Sequence, residues 1–195
     1  MRKVLIGFLA MGLCVLGLGA MWMVRADDDD SLVKYTAKLD GFQELGGLSG
    51  PTGAILSEGK GTLTLILNKK TQQFTFELNY TGLSTPVTQS HIHFGRVHTA
   101  GGIMVFFCTN VTTPQPAGIP VCPATGGEVT GVRSAGDVKA IAGQNVSASD
   151  FDALTDALFS NTAYANIHTT KFPAGEIRGQ IRLEGRGQDR DQDRK

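Results

Sequence analysis

Gln89-Ser90-His91-Ile92-His93-Phe94-Gly95 carries the strongest chemical signal in the chain, two histidines separated by one apolar residue. Side chains alternate along an extended strand, so His91 and His93 share one face while Ile92 and Phe94 share the other, the one a core would bury. Imidazoles one such step apart, roughly 6.5–7 Å at Cα, can lean onto a single metal ion. A third histidine follows far downstream in Tyr164-Ala165-Asn166-Ile167-His168-Thr169, again alternating with apolar neighbours. Three imidazoles on strands suit copper, with zinc as the borderline alternative. The plainer alternative is three partly buried histidines donating to carbonyls or carboxylates at strand ends. His98, the fourth histidine, lies in a glycine-flanked loop and is expected to be exposed.

Other chemistries find less support. Glu176 and Arg178 share a face of a late strand, where they can pair or bind backbone carbonyls as a structural clamp. As an alternative, Arg178 would draw anions toward a metal held by the histidines. Ser84 and Ser90 lack the sharp strand-to-helix turn of a nucleophilic serine, and no phosphate-loop pattern appears among the glycines. Sequons at Asn79, Asn110 and Asn145 matter only in a host that glycosylates exported proteins.

The ends of the chain point to export. Arg2-Lys3, an apolar run from Val4 to Val24, and a small-residue site ending at Ala26 read as a signal peptide over 1–26, an uncleaved N-terminal anchor being the alternative. The protein is thus expected to be extracytoplasmic, secreted or periplasmic, and to meet a membrane only through an uncleaved leader. Without Arg2, Lys3 and Arg25 the mature part has 15 basic against 18 acidic residues, a charge of −3. That balance gives no footprint for nucleic acid. Cys14 leaves with the leader, so Cys108 and Cys122 remain as an even number in an oxidising compartment. A disulfide closing the Thr109–Val121 loop is expected, worth about 3 kcal/mol by the chain-entropy model; two unpaired buried thiols are the alternative. The alternating charges of 186–195 predict a disordered tail, which leaves one domain over 31–185.

Between the ends the pattern is β. Alternation predicts strands over Val33–Leu39, Gly61–Leu67 and Gln73–Tyr80, the last two as a hairpin with Leu63, Leu65, Leu67, Phe74, Phe76, Leu78 and Tyr80 facing inward. The unbroken apolar run Ile103–Cys108 predicts a central strand buried on both sides. Glu128–Arg133 and Asp137–Ile141 are weaker strand candidates. One helix is expected, with Ser149 as its N-cap and Phe151, Leu154 and Leu158 as its buried stripe. Tyr164–Thr169 and Glu176–Leu183 complete the set. In the last of these Ile177, Ile181 and Leu183 lie on one face with Gly179, and Glu176, Arg178, Gln180 and Arg182 on the other. Many short strands with turn residues between them argue for an all-β, antiparallel, Greek-key-type sandwich or barrel with one short helix.

Several of these segments together resemble the chordin-type (CHRD) domain: Leu39-Asp40-Gly41-Phe42-Gln43-Glu44, Tyr80-Thr81-Gly82-Leu83-Ser84, the His91–Gly95 run, Tyr164–Thr169, and Phe172-Pro173-Ala174-Gly175-Glu176-Ile177-Arg178-Gly179-Gln180-Ile181. The resemblance runs in order from about Val33 to Leu183. It implies an extracytoplasmic all-β domain with no catalytic activity assigned to the family as a whole. The proline usual after the Gln-Glu pair is absent, Leu45-Gly46-Gly47 standing there, and His98-Thr99-Ala100-Gly101-Gly102 replaces a more typical asparagine-glycine turn. The histidines alone are also similar to the copper/zinc superoxide dismutase pattern. That similarity implies an immunoglobulin-like or superoxide-dismutase-like fold with His91, His93 and His168 as copper ligands and His98 as a fourth candidate; the loop that holds zinc there has no counterpart. Two functions follow as expectations. One is an exported binding or structural module, its partner a protein or surface polymer, carrying one metal ion on the three histidines. The other is a copper-dependent, dismutase-like redox enzyme.

Overall fold

The computed structural model describes residues 31–45, 53–111 and 115–184. The expected leader at 1–26, the glycines after Leu45, and the charged tail at 186–195 lie outside the described residues. Nine strands are present among them: β1 (Leu32–Asp40), β2 (Lys60–Asn68), β3 (Gln73–Thr81), β4 (Val87–Phe94), β5 (Gly102–Thr109), β6 (Gly127–Ser134), β7 (Ala163–Thr169), β8 (Ile177–Gln180) and β9 (Arg182–Leu183). The helix α1 (Phe151–Phe159) stands between β6 and β7.

All strand pairs are antiparallel, and the hydrogen-bonded order is β5-β4-β7-β8-β1-β2-β3-β6, with β9 also on β1. The two ends of this order, β5 and β6, face each other across a seam. Arg133 of β6 bridges it, donating from Nε to the Phe106 carbonyl at 2.8 Å and from Nη2 to the Phe107 carbonyl at 2.9 Å. Read across the seam, β4, β5 and β6 are consecutive with β3 and β7 on either side, a pair of overlapping Greek keys. The all-β, antiparallel barrel or sandwich with one short helix is therefore what the described residues form.

The hairpin behaves as its alternation requires. Leu65 pairs with Phe76 and Leu63 with Leu78, and the whole inward set joins Tyr35, Ala37 and Leu39 of β1 in the core. Cys108 and Cys122 are joined by a disulfide with Cα atoms 5.1 Å apart. Asn110 fastens the same loop, its Nδ2 donating to the Val87 and Cys122 carbonyls and its Oδ1 accepting from the Cys122 amide.

Four expectations need correction. β5 is not central but ends the order at the seam; its unbroken apolar run arises because bulges opposite β4 turn Met104 and Phe107 into the core. Asp137–Ile141 is no strand. Asp137 closes a 3-10 turn whose capping box it forms with Ser134, and Ile141 makes one isolated bridge to Val146. The helix is capped by Asp150, whose carboxylate accepts from the Ala153 amide at 2.9 Å; Ser149 stands one residue outside the cap, at φ +63°, where the chain turns into the helix. Finally, Glu176–Leu183 is not one strand but breaks at Ile181, whose amide bonds the Ala163 carbonyl; its polar side, with Glu176, Arg178 and Gln180, is buried.

Candidate metal centre

That buried polar side is one layer of the site. β4, β7 and β8 lie side by side, and on their core face Ile92, Ala165, Ile167 and Ile177 join the hydrophobic cluster. The opposite face carries two cross-strand rows, His93-Tyr164-Gln180 and His91-Asn166-Arg178, with His168 of β7 next in line opposite Gln89. An antiparallel sheet commonly leaves such a face to water. Here loops cover it, and every residue of both rows is buried together with His168.

Under this cover the three imidazoles converge. His91 lies 4.6 Å from both His93 and His168 between ring centroids, and their ligating nitrogens fall within 4.8 Å of one another. Backbone carbonyls set the rings. His93 Nδ1 donates to the Gly101 carbonyl at 2.8 Å, and His168 Nδ1 to the Pro173 carbonyl at 2.9 Å, so each turns Nε2 inward. His93 Nε2 has no partner, and His91, with 0% exposure, has none at either nitrogen. His168 Nε2 faces Asn166 Oδ1 at 3.0 Å, a pairing of two acceptors once Nδ1 holds the proton. An amide turned with its nitrogen toward the ring, or a cation in place of that contact, resolves it.

Burial holds all three rings neutral. It lowers His91 well below the ordinary histidine value, with His168 and His93 adding to the effect, lowers His93 to about 4, and lowers His168. Neutral imidazoles are the form that binds metal. Leaving such nitrogens dry and unpaired costs about 1–3 kcal/mol each, a cost that a bound ion removes.

The surrounding groups fix the geometry. His93 stacks on the Tyr164 ring at 4.7 Å, the Arg178 guanidinium lies 3.4 Å over the same ring, and Arg178 Nη2 donates to the Arg96 carbonyl at 3.0 Å. Gly101 is required as glycine, because a Cβ there would strike the Phe94 carbonyl and push away the oxygen that orients His93. A cavity of about 550 Å³ opens beside the rings, lined by Glu44, His93, Tyr164, Asn166, His168 and Arg178 among others. Glu44 is 3% exposed; its Oε2 accepts from the Leu45 amide at 3.3 Å and its Oε1 has no partner. Burial pushes its carboxyl up to about 7.

Of the other candidate residues, Glu176 is a clamp. Its carboxylate accepts from Ser57 Oγ at 2.7 Å, from the Ser84 amide and Oγ at 2.9 Å, and from Thr169 Oγ1 at 2.7 Å, and it makes no ion pair with Arg178. Burial alone would raise its carboxyl, but these donors outweigh it and hold the group below its usual value. His98 is exposed in a left-handed turn and stays outside the histidine cluster. Tyr164 and Asn166 were legible in principle, since they stand four and two residues before His168 and so share its face. Glu44 offered no such signal. It sits at the end of a 3-10 turn, Gly41–Gln43, where Asp40 accepts from the Phe42 and Gln43 amides and aims the chain.

Neither the curated proteins nor the solved structures contain a match to the chain. A family model does match, that of the CHRD domain, over residues 21–181. The match spans the strands that carry the three histidines, the turn that carries Glu44, and the Glu176–Ile181 segment that closes the site, and the chain belongs to the CHRD-domain family.

Proposed function

We propose that this CHRD module is exported and holds one copper ion on His91, His93 and His168. The observation that carries the reading is the convergence of three buried, neutral imidazoles whose inward nitrogens lack hydrogen-bond partners apart from the mismatched His168–Asn166 contact. Copper is favoured because divalent first-row ions bind nitrogen sites most tightly at copper, and imidazole ligands suit it. The histidine pattern shared with the copper/zinc superoxide dismutases points the same way. The disulfide supports an oxidising compartment, and with it export. Arg178, beside the cavity, supplies a positive charge that would draw small anions toward the ion. A protein or surface-polymer partner for the module belongs to the same proposal.

Metal analysis of the purified chain after dialysis against Cu(II) tests this. One equivalent of copper is expected, with nitrogen hyperfine structure in the electron paramagnetic resonance spectrum. His168→Gln should lower the affinity at least tenfold, since a tridentate site becomes bidentate. Retention of full affinity by that variant, or substoichiometric copper in the parent, would overturn the reading. A superoxide assay on the loaded protein separates a storage or sensing module, which shows no turnover, from a redox enzyme.

A further inference from the structure

Three neutral imidazoles bring no charge to the ion they would hold, and the nearest fixed charge, Arg178, is of the wrong sign. A dication buried beside a guanidinium is costly unless an anion compensates it. The cavity provides one acidic side chain, Glu44, with one carboxylate oxygen committed to a backbone amide and the other buried without a partner. Asn166 lines the same cavity as Glu44, and its side-chain oxygen lies 3.0 Å from His168 Nε2. Gly175, at φ +128°, lies against the same carboxylate, where any Cβ would displace it. The other ionisable groups around the cavity are Arg178 of β8, Tyr164 and His168 of β7, and His93 of β4, none of them an anion. Glu176 cannot substitute, since its oxygens are taken by Ser57, Ser84 and Thr169.

We propose that Glu44 is the charge-matching carboxylate of the centre, acting across the cavity it shares with His93 and His168, and that it makes the site select a divalent over a monovalent ion. The inference rests on the three-histidine reading above and adds to it a residue that determines which charge the site accepts. With Glu44 ionised, carboxylate and dication leave a local charge close to that of a monocation on the histidines alone. Without it, the imidazoles still serve a monovalent ion and penalise a divalent one.

Competitive titration of the full chain with Zn(II), and with Cu(I) under anaerobic conditions, tests the selection. Glu44→Gln removes the charge and keeps the shape, so it is expected to weaken Zn(II) binding about 10–100-fold while the Cu(I) constant stays within a few fold. Glu44→Asp, which keeps the charge, should hold the Zn(II)-to-Cu(I) ratio near that of the parent. Equal losses for both ions, no loss for either, or an aspartate variant that falls with the glutamine one would overturn the role of Glu44 while leaving the histidine site standing. A parent chain that binds neither ion overturns both. Far-ultraviolet circular dichroism of the metal-free variants confirms that each retains the fold.

Discussion

At the scale of single residues, the site stores two opposed ionisation costs. His93 is lowered to about 4 by burial, so the stability it lends as a neutral ring is present above pH 6.5 and is lost as pH falls through about 4. Glu44 is raised from 4.5 to about 7, also by burial, so its contribution is present below pH 4.5 and is lost as pH rises through about 7. In the metal-free protein, Glu44→Gln should therefore match the parent in stability near pH 4.5 and exceed it progressively toward pH 7 and above, by up to about 3 kcal/mol. Urea denaturation at several pH values reads this directly; a difference independent of pH would mean that Glu44 is not held as a buried acid. The histidines themselves were legible as a same-face pair plus a strand-borne third. Glu44 stood in the Leu39–Glu44 motif, but nothing local placed it beside the histidines, because a 3-10 turn has no periodicity from which to infer where the side chain at its end points.

At the scale of elements, the seam between β5 and β6 is the place where one side chain replaces a backbone ladder. Arg133 is buried, satisfies the Phe106 and Phe107 carbonyls, and lies 5.2 Å over the Phe76 ring. Arg133→Met keeps the apolar stem and strips both carbonyls of their donors. We expect a loss of about 3 kcal/mol, together with faster amide exchange in β5 than in the paired β1–β2 ladder. Unchanged exchange in β5 would show that the seam is held by packing alone. The strands of the β2–β3 hairpin could be read from alternation because each has one wet and one dry face. β5, β7 and β8 could not be placed so simply: β7 and β8 are buried on both faces, and an all-buried strand looks the same wherever it sits in a sheet.

For the whole molecule, the barrel has an apolar interior and, outside β4, β7 and β8, a second buried layer that is polar and incompletely satisfied. An ion bound there stabilises only the folded chain, because the three ligands come together only in the fold. Zn(II) at a hundredfold excess over its dissociation constant should add about 2.7 kcal/mol and raise the melting temperature accordingly, a shift that His168→Gln abolishes. An unchanged melting point in the parent would mean that the layer is stable dry. The sequence alone determined the β character, the inward faces of the first hairpin, the disulfide partners and the shared face of His91 and His93, because each depends on residues close in the chain or on a count that allows one pairing. Only the tertiary structure decided that His168 meets that pair, that Asn166 and Glu44 complete the layer, and that Arg133 closes the barrel. Those contacts join residues 26 to more than a hundred positions apart, and it is strand order and register, not local pattern, that bring them within reach.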